Sequence, residues 1–232
     1  MLRADDLFDL SEFEHRQIFA GTRYAWEALG RLADYLAAHL RPGRKGQVRE
    51  GAWIEGEVQL GEGSVVEAGA VILGPAIIGP DCEIRPGAYV RGPVMLGRAA
   101  IVGHCSEVKG SILLNGARAP HFNYVGDSIL GNEVNLGAGA ICSNVKLNAG
   151  EIIVMAGDQR HPTGMRKLGA LLGDGVQAGC NSVLNPGTVL GRGSLVYPCA
   201  SVRGCHPPNS ILKLDHCLEV ALREPAEKRP GD

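Results

Sequence analysis

Aliphatic residues recur at every sixth position along most of this chain. From position 54 to position 114 every sixth residue is Ile, Leu or Val, and the spacing returns at positions 130–142 and 172–202. A period of six fits neither a helix of 3.6 residues per turn nor a simple strand alternation. It fits a short strand and a turn, repeated, with three such hexads forming one triangular coil. The pattern therefore predicts an all-β solenoid, a parallel β-helix of roughly six to seven coils stacked at the usual strand spacing of about 4.8 Å.

The chain divides into three parts by this pattern. Residues 1–46 are predicted to be an N-terminal helical segment, because Tyr24, Trp26, Leu29 and Leu32 lie at helical spacing before the stop signal Pro42-Gly43. This aromatic stripe is expected to be core that packs against the first coil or a neighbouring subunit. Residues 47–203 form the predicted β-helix, and residues 204–232 are predicted to be a short helix and a charged tail.

Two interruptions of the hexad period are expected to be loops. The register slips within residues 115–129, and a longer gap covers residues 143–171, which we interpret as a hairpin-like excursion. Loops that leave a rigid solenoid commonly form its binding faces. The chemistry is therefore expected near these two segments.

Composition narrows the function classes. Glycine makes up 33 of 232 residues, about twice its average share of roughly 7%. The 45% of hydrophobic residues argues against a disordered linker, and a net charge of −2 argues against a nucleic-acid binder. No apolar run is long enough for a membrane span, and no secretory signal precedes the helices. We expect a soluble, cytoplasmic protein without nucleic-acid or membrane partners.

Cysteines and histidines do not predict a metal site or a disulfide framework. Seven cysteines are scattered without a C-x-x-C pair, and the histidines lack the spacing of a β-helical zinc enzyme of the carbonic anhydrase type. No metal is expected.

Polar residues that suit proton transfer and phosphate binding gather between positions 85 and 144. A histidine can remove a proton from an amine or hydroxyl nucleophile, and a carboxylate can orient it, which points to His121 and Glu107. Arg85 and Lys109 could hold a phosphate. Each of these charges, taken alone, is also compatible with a solvated surface position.

Longer strings carry a resemblance to a known family. RPGAYV, SEVKGS, APHFNYVGDS and GNEVNLGAGAICSN resemble the acetyltransferase half of the bacterial bifunctional glucosamine-1-phosphate acetyltransferase and N-acetylglucosamine-1-phosphate uridyltransferase. MRKLGALLGDGVQAG is similar to archaeal sugar-phosphate nucleotidylyltransferases that share that domain. The resemblance covers roughly residues 50–215 and implies a left-handed β-helix assembled as a homotrimer, with active sites between subunits. The nucleotidylyltransferase domain has no counterpart here, so no pyrophosphorylase activity is expected.

The resemblance also implies the reaction and the residues that perform it. Acetyl-CoA, as co-substrate, would donate its acetyl group to the amine of glucosamine 1-phosphate. The implied roles are His121 as general base, Glu107 as its orienting carboxylate, Asn144 beside the thioester, Arg85 and Lys109 on the phosphate, Tyr124 and Asn135 on the sugar, and Ala138 and Cys180 on the co-substrate.

This chain departs from the family pattern at several positions. Ala140 replaces a threonine, Val145 replaces a tyrosine, and Cys180 replaces a serine. The sugar-binding lysine has no clear counterpart, and Lys146, Arg166 and Lys167 are candidates. Two alternatives therefore stay open: another β-helix sugar acyltransferase with a nucleotide-sugar or O-acetyl acceptor, and a non-catalytic scaffold for a separate nucleotidylyltransferase.

Overall fold

The protein, described by a computed structural model over residues 2–214, is a left-handed parallel β-helix with a small helical head. The head contains an α-helix at Ala4–Leu7, a 3₁₀ helix at Arg16–Phe19 and an α-helix at Glu27–His39. Three parallel sheets, named A, B and C in the order in which the chain visits them, form the sides of a triangular prism.

Each sheet gains one strand per turn of the solenoid. Sheet A contains Gly43–Arg44, Val58–Leu60, Ala76–Ile78, Val94–Leu96, Ile112–Leu113, Ile129–Leu130, Ala170–Leu172, Thr188–Leu190 and Cys205–His206. Sheet B contains Gln47–Val48, Val65–Val66, Glu83–Ile84, Ile101–His104, Arg118–His121, Asn135–Leu136, Gln177–Ala178, Leu195–Val196 and Ile211–Leu212. Sheet C contains Trp53–Glu55, Val71–Leu73, Tyr89–Arg91, Glu107–Lys109, Tyr124–Gly126, Ile141–Cys142, Val183–Leu184 and Ser201–Val202.

Apart from Leu114, the buried hexad residues lie in the interior of the prism, as the period predicts. Ile72, Val90, Val108 and Val125 are fully buried and follow one another along sheet C. The predicted number of coils is too low, because sheets A and B each hold nine strands within the described residues. The additional strands lie before Ile54 and after Val202, and within 115–129, where the aliphatic spacing is interrupted.

The predicted excursion at 115–129 is wrong, because this segment is a regular turn of the solenoid. Its strands pair in register with the turns on both sides, and Ala119 and Val125 lie in the interior. The step from Val108 to the next interior residue is five positions, so Leu113 points inwards and Leu114 packs outside against the head. A corner that is one residue shorter therefore shifts the period without interrupting the coil.

Residues 143–169 leave the prism between sheets C and A. They include an antiparallel hairpin of Ile153–Ala156 and Gln159–Pro162, after which the chain rejoins sheet A at Ala170. The hairpin lies against Cys205 and the head. Residues 143–171 were predicted as a hairpin-like excursion, and the structure places the hairpin within them.

The head covers the outer face of sheet A. Trp26 and Leu32 are buried in one cluster with Ile77, Met95 and Ile112, which are outward-facing residues of sheet A. The aromatic stripe is therefore core, but it packs along the side of several turns and not on the end of the first coil. Large apolar residues on sheet A require this cover, because exposing them would forfeit about 1.5–3 kcal/mol for each side chain.

The C-terminal part departs from its prediction as well. Residues 204–214, expected to begin a short helix, supply the strands Cys205–His206 and Ile211–Leu212 instead. The rest of the predicted helix and tail, residues 215–232, lies outside the described residues. Within residues 2–214, no helix has the length and apolar character needed to cross a membrane.

Replacing Trp26 tests whether the head is part of the core. Trp26 is 1% exposed, so Trp26→Ala should lower the free energy of unfolding by about 3–5 kcal/mol. Trp53 is 62% exposed, and Trp53→Ala is the matched control, expected to change that free energy by less than about 0.5 kcal/mol. Urea unfolding monitored by circular dichroism measures both. Equal effects of the two substitutions would show that the head is not packed on the solenoid.

Candidate functional site

A polar cluster covers the outer face of sheet C in its middle turns. Glu107 lies in register between Tyr89 and Tyr124, while Lys109 lies between Arg91 and Gly126. The cluster arises because the interior residue Val108 leaves its two neighbours on the strand pointing outwards. Sheet register therefore brings Glu107, Lys109 and Tyr124 together, as three of the predicted site residues.

Lys109 is held in a half-buried network. Its Nζ lies 3.1 Å from Oδ2 of Asp127, and the side-chain amide of Asn144 also donates a hydrogen bond to that carboxylate. The Tyr124 hydroxyl is 3.4 Å from Oδ1 of Asn144. The side chains of Lys109 and Asp127 are only 19% and 18% exposed, so their charges stabilise each other in a poorly solvated environment. Asn144, predicted to act beside the thioester, is thus fixed through Asp127.

Glu107 is held by an arginine in this chain. Its Oε1 lies 2.8 Å from Nε of Arg91, and this hydrogen bond raises the pKa of the Arg91 guanidinium. The predicted contact between Glu107 and His121 is not made among the described residues. The carboxylate is engaged on the face of sheet C, whereas His121 lies at the corner between sheets B and C. The orienting role of Glu107 stays a prediction.

The corner between sheets B and C carries a second group of predicted residues. His121 ends its strand in sheet B in register with His104, and its backbone carbonyl accepts a hydrogen bond from the amide of Gly139, next to Ala138. Cys180 follows in the next turn, where the Ala138 carbonyl accepts from the amide of Asn181. His121, Ala138 and Cys180 thus form one column along this edge, here called the B–C edge.

The two histidines on the B–C edge differ in their environment. His104 is tied back by Nδ1, which is 2.8 Å from the Pro86 carbonyl. The imidazole of His121 is exposed and has no side-chain hydrogen bond or ion pair within residues 2–214. Phe122, next in the chain, turns the corner with a φ of 52°, a strained conformation for a bulky residue. His121 is therefore presented to solvent at a fixed place with both ring nitrogens free for a ligand.

Arg85 and Asn135 lie apart from the sheet C cluster. Arg85 follows its sheet B strand and pairs with Glu83, with Nη2 and Oε2 2.8 Å apart. Asn135 faces outwards on sheet B between Arg118 and Gln177. The predicted site residues thus occupy two faces of the prism that meet at the B–C edge. Such an edge is convex, so these side chains diverge within one chain.

The positions at which this chain departs from the family pattern lie in different environments. Ala140 is fully buried inside the prism, so the missing threonine hydroxyl would not reach a ligand on the surface. Arg166 and Lys167 line a shallow depression with Asp127. Lys146 lines a neighbouring cleft of about 740 Å³ beneath the hairpin, and Val145 lines both this cleft and the depression. Their positions do not show which of Lys146, Arg166 and Lys167 replaces the sugar-binding lysine of the family.

Sequence reasoning missed two residues that organise the site. Arg91 holds Glu107, and Asp127 holds both Lys109 and Asn144. Arg91 and Asp127 each lie eighteen positions from Lys109, one on either side, which is three hexads. A spacing of about three hexads marks residues on neighbouring turns, but the shorter corner makes Gly126, and not Asp127, the strand partner of Lys109, so the spacing alone indicates the turn and not the contact.

The cysteines and acids of the described part do not form a metal centre. Within residues 2–214, no group of three His, Cys, Asp or Glu side chains is arranged to hold a metal ion. Burial raises the pKa of the Cys142 thiol to about 12, which removes this interior residue as a nucleophile.

Asp127 should matter for stability more than a similar surface aspartate. Asp127 and Asp81 both have a positive φ and both pair with a cation on a neighbouring turn, but the Arg98 and Asp81 side chains are 63% and 54% exposed. We expect Asp127→Ala to lower the free energy of unfolding by about 1–3 kcal/mol, because Lys109 and Asn144 lose a poorly solvated partner. Both substitutions place an alanine at a positive φ and share the cost of that strain. Beyond this shared cost, Asp81→Ala should lower the free energy of unfolding by less than about 1 kcal/mol, because its ion pair is exposed. Denaturant unfolding of both variants measures the difference, and equal losses would contradict the network.

Two bifunctional proteins are similar to this chain in sequence. The Bifunctional protein GlmU of Methanocaldococcus jannaschii is 37% identical over 205 residues, which cover 85% of this chain and 50% of that protein. The Bifunctional sugar-1-phosphate nucleotidylyltransferase/acetyltransferase of Sulfurisphaera tokodaii is 38% identical over 92 residues, 40% of this chain and 23% of that protein. The chain thus spans half or less of the length of these two relatives.

Among solved structures, the Francisella novicida UDP-N-acetylglucosamine acyltransferase aligns with a TM-score of 0.46 at 15% identity, covering 68% of this chain and 61% of that one. The model of the GMPPB C-terminal domain matches residues 72–206, more than half of the chain. The resemblance seen in the sequence is therefore confirmed, and the chain belongs to the GMPPB C-terminal domain family of left-handed β-helices.

Proposed function

We propose that this protein is an acetyl-CoA-dependent N-acetyltransferase that acts on an aminosugar 1-phosphate, with glucosamine 1-phosphate as the first candidate. The observation that carries the proposal is the exposed, unpaired imidazole of His121 on the same edge as Ala138, beside the polar face of sheet C. The names of the archaeal relatives, one of which includes an acetyltransferase, support the reaction class.

The proposed reaction needs one proton acceptor and no acyl-enzyme. The ammonium group of the sugar first loses one proton to solvent. The free amine then attacks the thioester carbonyl of acetyl-CoA while neutral His121 takes a second proton from the attacking nitrogen. The C–N bond forms, the C–S bond breaks, and the imidazolium returns its proton to the departing thiolate. A positioned general base of this kind contributes about 10²–10⁴ to the rate, and holding the two substrates together contributes further.

Phosphate binding would use cations that already have partners. Lys109 pairs with Asp127, and Arg85 pairs with Glu83. A sugar phosphate would therefore join these pairs as an additional acceptor, with Tyr124 and Asn135 contacting the sugar. Arg91 lies in register with Lys109 and adds a third cation to the same region.

The divergence of these residues around the B–C edge supports a homotrimer. A convex edge offers no cleft by itself, and a cleft forms only where a second prism faces it. The head already occupies the outer face of sheet A, which leaves sheets B and C available for other subunits. In a trimer each site would combine the B–C edge of one subunit with a neighbour, and CoA would extend along Ala138 and Cys180.

The oligomer can be measured directly. Sedimentation equilibrium should give a mass close to three times the 24.5 kDa of one chain. A monomer at the concentrations used in activity assays would contradict a site shared between subunits.

The catalytic proposal is tested by release of CoA thiol from acetyl-CoA in the presence of glucosamine 1-phosphate. We expect His121→Ala to lower turnover by about 10²-fold or more. His104→Ala is the matched control, because His104 lies one turn away on the same edge with Nδ1 held by the Pro86 carbonyl, and it should keep turnover within a few-fold.

Two other outcomes would change the conclusion. Turnover with a nucleotide-linked or O-acetyl acceptor and none with any aminosugar 1-phosphate would replace the proposed acceptor. No thiol release with any acceptor from a folded trimer would leave the scaffold alternative.

A further inference from the structure

A second candidate site lies away from the B–C edge, beneath the hairpin. This hairpin cleft, a cavity of about 740 Å³, opens between the hairpin and the last turns of the solenoid at the corner between sheets C and A. Its lining contains the cations Lys146, Arg160 and Arg203, and no Asp or Glu occurs among the described residues that line it. The cleft therefore carries positive charge that no acidic side chain among its described lining residues compensates.

The two arginines are free to bind a ligand. Lys146 donates to the Glu151 carbonyl, with its Nζ 2.6 Å from that oxygen. Neither guanidinium of Arg160 and Arg203 makes an ion pair or side-chain hydrogen bond within residues 2–214, and both residues are exposed. Arginine presents a planar set of donors that fits phosphate oxygens, and two such groups in one cleft suit a diphosphate.

The wall that carries Arg160 is held from behind. On the hairpin, Met155 pairs with Arg160 and faces the cleft, while Val154 pairs with His161 on the other side. Val154 is fully buried against the head, and Nδ1 of His161 lies 3.2 Å from the hydroxyl of Tyr24. The head thus fixes the hairpin, so the cleft is formed before a ligand arrives and binding requires little ordering.

Apolar side chains accompany the cations. Val145, Leu147, Ile153 and Met155 line the same cleft, and Val145 and Met155 are 45% and 39% exposed. Exposed apolar surface beside unpaired guanidinium groups suits a ligand that has a flat ring at one end and phosphates at the other. The volume is within the range of about 300–1,000 Å³ of small-molecule sites.

We propose that the hairpin cleft binds a nucleoside diphosphate group, with its phosphates on Arg160 and Arg203 and its base against Ile153 and Met155. The cleft lies at the C–A corner, while His121 lies at the B–C edge. Ser143 and Val145, which line the cleft, flank Asn144, so the two sites are neighbours and the test below must separate them. The cleft is distinct from the column at Ala138 and Cys180 on which the proposal above places CoA.

Isothermal titration of the protein with UDP and with GDP at low salt tests the assignment. At least one of them should bind, and Arg160→Gln and Arg203→Gln should each weaken its dissociation constant about tenfold or more, as expected for the loss of a charge-assisted hydrogen bond. Arg44→Gln is the matched control, since Arg44 is an exposed arginine on the first turn, and it should leave the constant unchanged. His121→Ala should also leave it unchanged.

Three results would overturn the proposal. The first is no binding of UDP or GDP at millimolar concentration, or binding that both arginine variants retain. The second is orthophosphate binding as tightly as UDP and GDP, which would show that the cleft recognises phosphate and not a nucleoside diphosphate. The third is displacement of the bound diphosphate by CoA with the same sensitivity to Arg160→Gln and Arg203→Gln, which would make the cleft the nucleotide subsite of the acetyl donor.

Discussion

The narrow interior of the prism is the constraint on which the rest of the structure depends. Nearly every strand contributes one or two aliphatic side chains to it, and columns such as Ile72, Val90, Val108 and Val125 are fully buried there. Because each interior residue is fixed, the residues on either side of it are forced outwards at a known height and on a known face. Glu107 and Lys109 owe their positions on sheet C to Val108 in this way.

The three faces of the prism therefore differ in what covers them. Sheet A is covered by the head, whose aromatic residues pack on Ile77, Met95 and Ile112. Sheets B and C keep their polar residues exposed and meet at the edge that carries His121. The hairpin emerges where sheet C passes to sheet A, and the same head that covers sheet A supports it through Tyr24 and His161. The head thus has a structural role that reaches the hairpin, far from the first coil.

Much of the fold could be predicted from the sequence, because one period governs it. The solenoid, its hexads and the buried aromatic stripe follow directly from spacing. The errors occur where a corner loses one residue. The interior residue after Val108 is Leu113 and not Leu114, so a strict period of six finds no match between Leu114 and Leu130 and predicts a loop at 115–129, although the strands continue. The sequence also does not predict where the head lies. Helical periodicity shows which apolar residues share one face, but not which surface of the solenoid that face covers.

The site was predictable in its residue types and less so in its contacts. Register explains why Glu107, Lys109 and Tyr124 meet, and the resemblance supplied them. The resemblance does not predict the ion pair of Arg91 with Glu107. Nor does it predict that Asp127 binds both Lys109 and Asn144, because these contacts depend on side-chain geometry across neighbouring turns. Arg160 and Arg203 were missed for a similar reason, since a hairpin and a distant turn form their cleft together.

The most direct test of the central claim is a crystal structure of the protein with CoA and glucosamine 1-phosphate. The account predicts that pantetheine lies along Ala138 and Cys180 at a subunit boundary, with its sulfur and the sugar amine beside the imidazole of His121. Pantetheine bound in the hairpin cleft, with the His121 ring contacting neither substrate, would contradict it.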